Sequence, residues 1–71
     1  MSFNAYLKKR QAEPSAIGDF ARDWFADKSE DKPRSSKSFT SIERYLEAEG
    51  ACRGCLEAAY DAWSQWQAAK G

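Results

Sequence analysis

Histidine and valine are missing from these 71 residues, and only two cysteines, two prolines and four glycines are present. Without histidine the chain lacks the one side chain that titrates near neutrality when unperturbed, so Ser–His–Asp catalysis is excluded and acid–base chemistry is poorly supplied. With two cysteines and no histidine, a zinc site built of Cys and His alone lacks two of its four ligands within one chain, and no glycine-rich phosphate loop is present. No apolar run approaches the roughly 20 residues of a membrane span, and the N-terminus has no signal-peptide apolar stretch. A soluble, cytoplasmic protein without membrane contact is expected, monomeric by default. Charge of one sign is missing too. Lys and Arg number 11, Asp and Glu 11, and the pI is about 6.2. That balance disfavours a protein that lives by phosphate contacts.

What is present is aromatic. Three tryptophans, three tyrosines and four phenylalanines accompany only three leucines and two isoleucines. Each aromatic can bury roughly 150–250 Å², so a few large side chains can build the core of a chain this short. Abundant Ala, Glu, Lys and Arg favour helices over strands, and the length allows one domain over 1–71.

The most informative stretch is Ile17–Asp27. Ile17, Phe20, Ala21, Trp24 and Phe25 share one side of a helix, leaving Asp19, Arg22, Asp23 and Asp27 on the other. This helix, running from about Ala16 to Asp27 or Lys28, is expected to be the central element. Ser15 would cap it after the break at Glu13-Pro14. Gly18 in its first turn costs up to about 1 kcal/mol against alanine, which predicts close approach of another backbone.

A first helix is expected from Ser2, as N-cap, to about Gln11. It would bury Phe3, Tyr6 and Leu7 and place Lys8, Lys9 and Arg10 where positive charge complements the helix dipole. Ser29–Lys37 is a polar linker. A third helix should begin near Ser38, with Ser38 or Thr40 as cap and Thr40-Ser41-Ile42-Glu43 as a capping box. It would bury Phe39, Ile42, Tyr45 and Leu46 and end at Gly50. The last helix, from about Ala51 to Ala69, has a wide apolar face made of Cys52, Cys55, Leu56, Ala59, Tyr60, Trp63 and Trp66. The expected fold is all-α: a compact bundle of three short helices and a longer C-terminal one.

Several residues in this order match a known pattern. They are Ser2-Phe3 with Tyr6-Leu7, then Ile17-Gly18-Asp19-Phe20-Ala21 with Asp23 and Asp27-Lys28. Ile42, Tyr45-Leu46-Glu47, Gly50-Ala51-Cys52, Leu56 and Ala62-Trp63 complete it. On these residues the chain resembles the YozE-like family of small bacterial and phage proteins, whose fold is like that of sterile alpha motif domains. The resemblance implies a four-helix SAM-like bundle and carries no enzyme activity or cofactor. Folds of this kind serve as protein–protein modules and sometimes bind nucleic acid, an analogy at the level of fold. Family members carry an aromatic just before the linker proline. Here Glu30-Asp31-Lys32 precedes Pro33, so the linker is expected to lack an apolar anchor and to be more mobile.

Three candidate sites remain. Cys52-Arg53-Gly54-Cys55 reads first as helix packing, with a redox pair or a metal shared between two chains as the alternatives. Trp66, near the end of the last helix, is expected to be partly exposed and to form an aromatic patch with Tyr60. Lys28, Lys32, Arg34 and Lys37 make the linker basic. The expected function is a small non-enzymatic binding module for an as yet unidentified protein, an adaptor or inhibitor of a larger bacterial or phage protein, using Tyr60, Trp66, Lys28, Lys32, Arg34 and Lys37. The alternative is DNA binding through Lys8, Lys9, Arg10, Lys28, Lys32, Arg34, Lys37 and Arg44.

Overall fold

The computed structural model describes residues 2–29, 32–33 and 38–70. Arg34 and Lys37, two of the candidate linker cations, lie outside the described residues, as does most of the linker expected to be mobile. The described residues form four helices: α1 (Phe3–Arg10), α2 (Ala16–Ala26), α3 (Phe39–Ala48) and α4 (Arg53–Lys70). No strand occurs among them, and none of these helices is long and apolar enough to cross a membrane.

Local chemistry accounts for most of the boundaries. The Ala5 amide donates to Ser2 Oγ at 3.1 Å, and the Gly18 amide donates to Ser15 Oγ at 3.2 Å. Each bond satisfies a donor that the first helical turn leaves free. At the end of α3, Gly50 takes a left-handed φ of 76°. The Ala51 amide then donates to Leu46 O at 2.9 Å and the Gly50 amide to Glu47 O at 3.1 Å, the paired bonds of a Schellman motif. α3 starts where expected, with Ser38 at its N-cap position, but without the expected cap bonds. Ser38 is extended but makes no side-chain cap bond, and Thr40 sits inside the first turn. The capping box is therefore not formed, and Glu43 points outward. α4 begins two residues later than expected, at Arg53, so Cys52 precedes the helix and is exposed.

The core joins Phe3 and Leu7 of α1, Ile17, Phe20, Ala21 and Trp24 of α2, Ile42, Tyr45 and Leu46 of α3, and Ala58, Ala59, Ala62, Trp63 and Trp66 of α4. α4 is the one helix whose backbone packs against all three others, whereas α2 packs against α1 and α4. The last helix thus takes the central place expected for α2. Ala21, Ala59 and Ala62 are completely buried, and such small side chains let α2 and α4 approach closely. The buried face of α4 is rotated from the expected one: Ala58 and Ala62 turn inward, while Cys52 and Tyr60 turn out. Trp24 nevertheless ties α2 to its neighbours. Its ring meets Tyr45 edge-on at 5.9 Å, and its indole N–H donates to Asn4 Oδ1 at 3.2 Å.

The close approach at Gly18 is real. A Cβ there would lie 2.9 Å from the carbonyl carbon of Glu13, nearer still to its oxygen, and 3.2 Å from Arg10 O. The α1–α2 junction passes directly over this glycine and is held by side chains. Arg10 pairs with Glu13, donating to Oε1 at 2.8 Å, and Arg22 reaches Gln11 O at 2.5 Å and Glu13 O at 3.2 Å.

Candidate functional site

Aromatic rings run outward from the core to the surface between α3 and α4. Phe3 touches Trp63 and Trp66 at centroid distances of 5.0 and 5.7 Å, and the two tryptophans meet at 4.9 Å. Trp63 in turn contacts Phe39 at 6.0 Å, and Phe39 meets Tyr60 edge-on at 5.6 Å. The inner rings are buried and Phe39 half-buried, but Tyr60 is 58% exposed, the one large hydrophobic in that state among the described residues. An aromatic held by its neighbours at the surface offers contact area with little rotamer freedom left to lose on binding.

Tyr60 stands in an open groove of about 420 Å³. From α4, Arg53, Leu56, Glu57, Tyr60 and Asp61 line it at helical spacing, and Phe39 and Glu43, one turn apart, supply the α3 wall. The floor is apolar, the rim mainly acidic. Arg53 is paired with Glu57 at 3.3 Å, an exposed pair that contributes little to stability. Glu43 and Asp61 have no ion-pair partner among the described residues.

Trp66 does not join this surface. It is only 7% exposed, because Phe3 and Trp63 cover it and the Lys70 ammonium lies 4.3 Å over its ring. The expected Tyr60–Trp66 patch is therefore corrected to a patch of Tyr60, Phe39 and Leu56.

The candidate cations divide in two. Lys8, Lys9, Lys28 and Arg44 are exposed. Arg10 and Lys32 are engaged within the chain. Arg10 binds the Glu13 carboxylate, the Tyr6 hydroxyl and, at 2.9 Å, Gln65 Oε1. Hydrogen bonding to Glu13 raises the Arg10 pKa and holds the Glu13 carboxyl below its ordinary value. The Lys32 ammonium donates to Trp24 O at 2.5 Å and to Asp27 O at 2.9 Å, satisfying carbonyls at the end of α2. It also lies 5.2 Å from the Trp24 ring centre and 5.8 Å from that of Phe25. The linker, expected to lack an apolar anchor, is thus tied to α2 at Lys32 by a cation. Lys28 and Lys32 share a concavity of about 350 Å³ with Asp27, whose carboxylate feels the Lys32 charge.

Asp27 has its own partners. It accepts hydrogen bonds from the Tyr45 hydroxyl and, at 2.9 Å, from the Ser29 amide, which hold its carboxyl below the ordinary range. Burial, with the Asp27 contact second, pushes the Tyr45 phenol up to about 12. The cysteines lie elsewhere, lining a pocket of about 270 Å³ with Phe20 and Ala58 between α2 and the start of α4. Cys55 is half-buried, and burial pushes its thiol pKa up, away from the thiolate a redox pair needs. No three His, Cys, Asp or Glu side chains among the described residues converge as metal ligands.

Tyr60 was named from the sequence for its aromatic character. Phe39 and Leu56 are expected in the core and Glu43 in a capping box, while Glu57 and Asp61 carry no distinguishing signal of their own. Their common signal is spacing: the α4 residues fall at relative positions 0, 3, 4, 7 and 8, counted from Arg53.

No curated protein and no solved structure matches the chain significantly. A family model described as the YozE SAM-like fold matches residues 2–68, nearly the whole of the helical bundle. The chain belongs to the YozE SAM-like fold family.

Proposed function

We propose that this domain is a non-enzymatic module that binds a protein partner, as an adaptor or inhibitor, through the groove between α3 and α4. The observation that carries this reading is Tyr60: exposed, held against Phe39, and set in an apolar floor with a polar rim. That arrangement is the anatomy of a protein-binding hot spot. Electrostatics support the non-enzymatic half. No charged side chain among the described residues is buried, and the carboxyl shifts that are resolved, at Glu13 and Asp27, go downward. A general acid needs the opposite shift.

Duplex DNA is the alternative ligand, through Lys8, Lys9, Lys28 and Arg44. It is the weaker reading because Arg10 and Lys32 spend their donors inside the chain and the net charge is zero. The test is affinity capture from nuclease-treated extract of the source cells, alongside titration of duplex DNA at two salt concentrations. A nuclease-resistant complex with a protein, weakened by Tyr60→Ala, is expected. Salt-dependent duplex binding with no protein complex would refute the proposal.

A further inference from the structure

The chemistry of the groove restricts what can occupy it. From Phe39 to Asp61 the chain carries five carboxylates (Glu43, Glu47, Glu49, Glu57, Asp61) and two guanidiniums, although the whole chain is neutral. Three of those carboxylates, Glu43, Glu57 and Asp61, line the groove, against the single guanidinium of Arg53. Glu43 and Asp61 stand on opposite walls with no cation of their own among the described residues, and Tyr60 lies beside Asp61. The exposed lysines of α1 and of the α2 end, Lys8, Lys9 and Lys28, belong to other parts of the bundle.

The geometry points to a basic amphipathic segment of a partner protein as the occupant, and this rests on the protein-binding reading above. One apolar side chain of the segment packs on Tyr60, Phe39 and Leu56. Lysines or arginines flanking it meet Glu43 on one wall and Asp61 on the other. A space of about 420 Å³ suits an anchor of leucine or aromatic size with its neighbours, and two helices offering parallel stripes form the kind of groove into which a third helix lays its apolar face. Acidic walls also select. An acidic segment of the same hydrophobicity would bring like charges together and be rejected.

The experiment uses two short synthetic amphipathic peptides with identical leucine and tryptophan positions, one with lysine and the other with glutamate at every polar position. Each is titrated into the isotope-labelled full chain by NMR at low and at physiological salt. The lysine peptide is expected to shift the amides of Phe39, Glu43, Leu56, Tyr60 and Asp61, more weakly at higher salt, while the glutamate peptide does not bind. Tyr60→Ala is expected to weaken the lysine peptide by about tenfold or more. The double variant Glu43→Lys/Asp61→Lys, at exposed positions and with its fold checked by circular dichroism, is expected to exchange the two preferences. Equal binding of both peptides, shifts confined to other faces, or no binding overturns the groove assignment. A protein partner captured by the wild type and weakened by Tyr60→Ala but indifferent to the charge reversal overturns this inference alone. Duplex DNA binding without any protein binding overturns the protein-binding reading with it.

Discussion

Replacing Gly18 and Gly54 by alanine, one at a time, applies the same chemical change to the first turns of two helices. On helix propensity alone each variant should gain up to about 1 kcal/mol. At Gly54 nothing opposes the gain, since the nearest atom to a new Cβ is Cys52 Sγ at 4.0 Å, ordinary van der Waals contact. At Gly18 the Cβ would press on the Glu13 carbonyl, 2.9 Å from its carbon, and stand 3.2 Å from Arg10 O. Both neighbours are backbone, and neither is free to yield. The Glu13 amide donates to Arg10 O at 3.1 Å, and Glu13 O accepts from Arg22 at 3.2 Å. Accommodating the methyl means moving the junction and losing one or more of these bonds, each with a net contribution of about 1 kcal/mol, on top of an overpacking cost of roughly 1–3 kcal/mol. Offset by the propensity gain, Gly18→Ala should lose about 2 kcal/mol. In a domain of this size that lowers Tm by roughly 8–16 °C, whereas Gly54→Ala raises it by a few degrees. Urea and thermal unfolding followed by tryptophan fluorescence and far-ultraviolet circular dichroism measure both. A Gly18→Ala protein as stable as the wild type, with an unchanged denaturant slope, would refute the close-packing argument.

Other perturbations follow from the polar contacts. Asp27 has a folded pKa below its unfolded value, so its contribution to stability is fully present above the unfolded value near pH 4 and is lost as pH falls through the folded one. Tyr45→Phe removes the largest cause of that shift, and acid unfolding should then begin at higher pH than in the wild type. Tyr45 behaves oppositely in alkali: its phenol pKa is raised to about 12, so its contribution holds below the unfolded value near 10 and fades as pH climbs toward 12. Ultraviolet titration should accordingly lose its latest-ionising tyrosine in Tyr45→Phe. Cysteine labelling at mildly alkaline pH should modify exposed Cys52 well before Cys55, whose thiol is half-buried and pushed up. Comparable rates in the Cys52→Ala and Cys55→Ala variants would contradict that placement.

The elements that could be read from the sequence are those whose determinants are local. Ser2, Ser15 and Gly50 mark helix ends through bonds spanning only a few residues, and the stripe Ile17–Trp24 repeats at helical spacing within one segment. The misreadings arose where a residue's fate depends on a distant segment. Trp66 sits one turn from the end of α4, which suggests fraying, yet Phe3 from the other end of the chain closes over it. Ala58 and Ala62 carry little hydrophobic signal, so apolar periodicity centres the α4 face on the larger Tyr60, which in fact points outward. In the sequence Lys32 is one of several linker charges, yet its ammonium reaches carbonyls five and eight residues earlier in the chain. The groove was hardest to foresee, because its two walls become neighbours only once α3 and α4 pack.

α3 has a singular position among the four helices. Among the described helices its backbone packs on α4 alone, and Tyr45 ties it toward α2 by meeting the Trp24 ring and the Asp27 carboxylate just past the end of that helix. Local opening free energies follow the number of such ties, so α3 is expected to detach first, its amides exchanging with solvent ahead of those of α2 and α4. Because α3 carries Phe39 and Glu43, such an opening would also change the width of the groove. An occupant wedged beside Tyr60 would close the equilibrium down, so slowed exchange along Ile42–Ala48 would report occupancy at amides the occupant never touches.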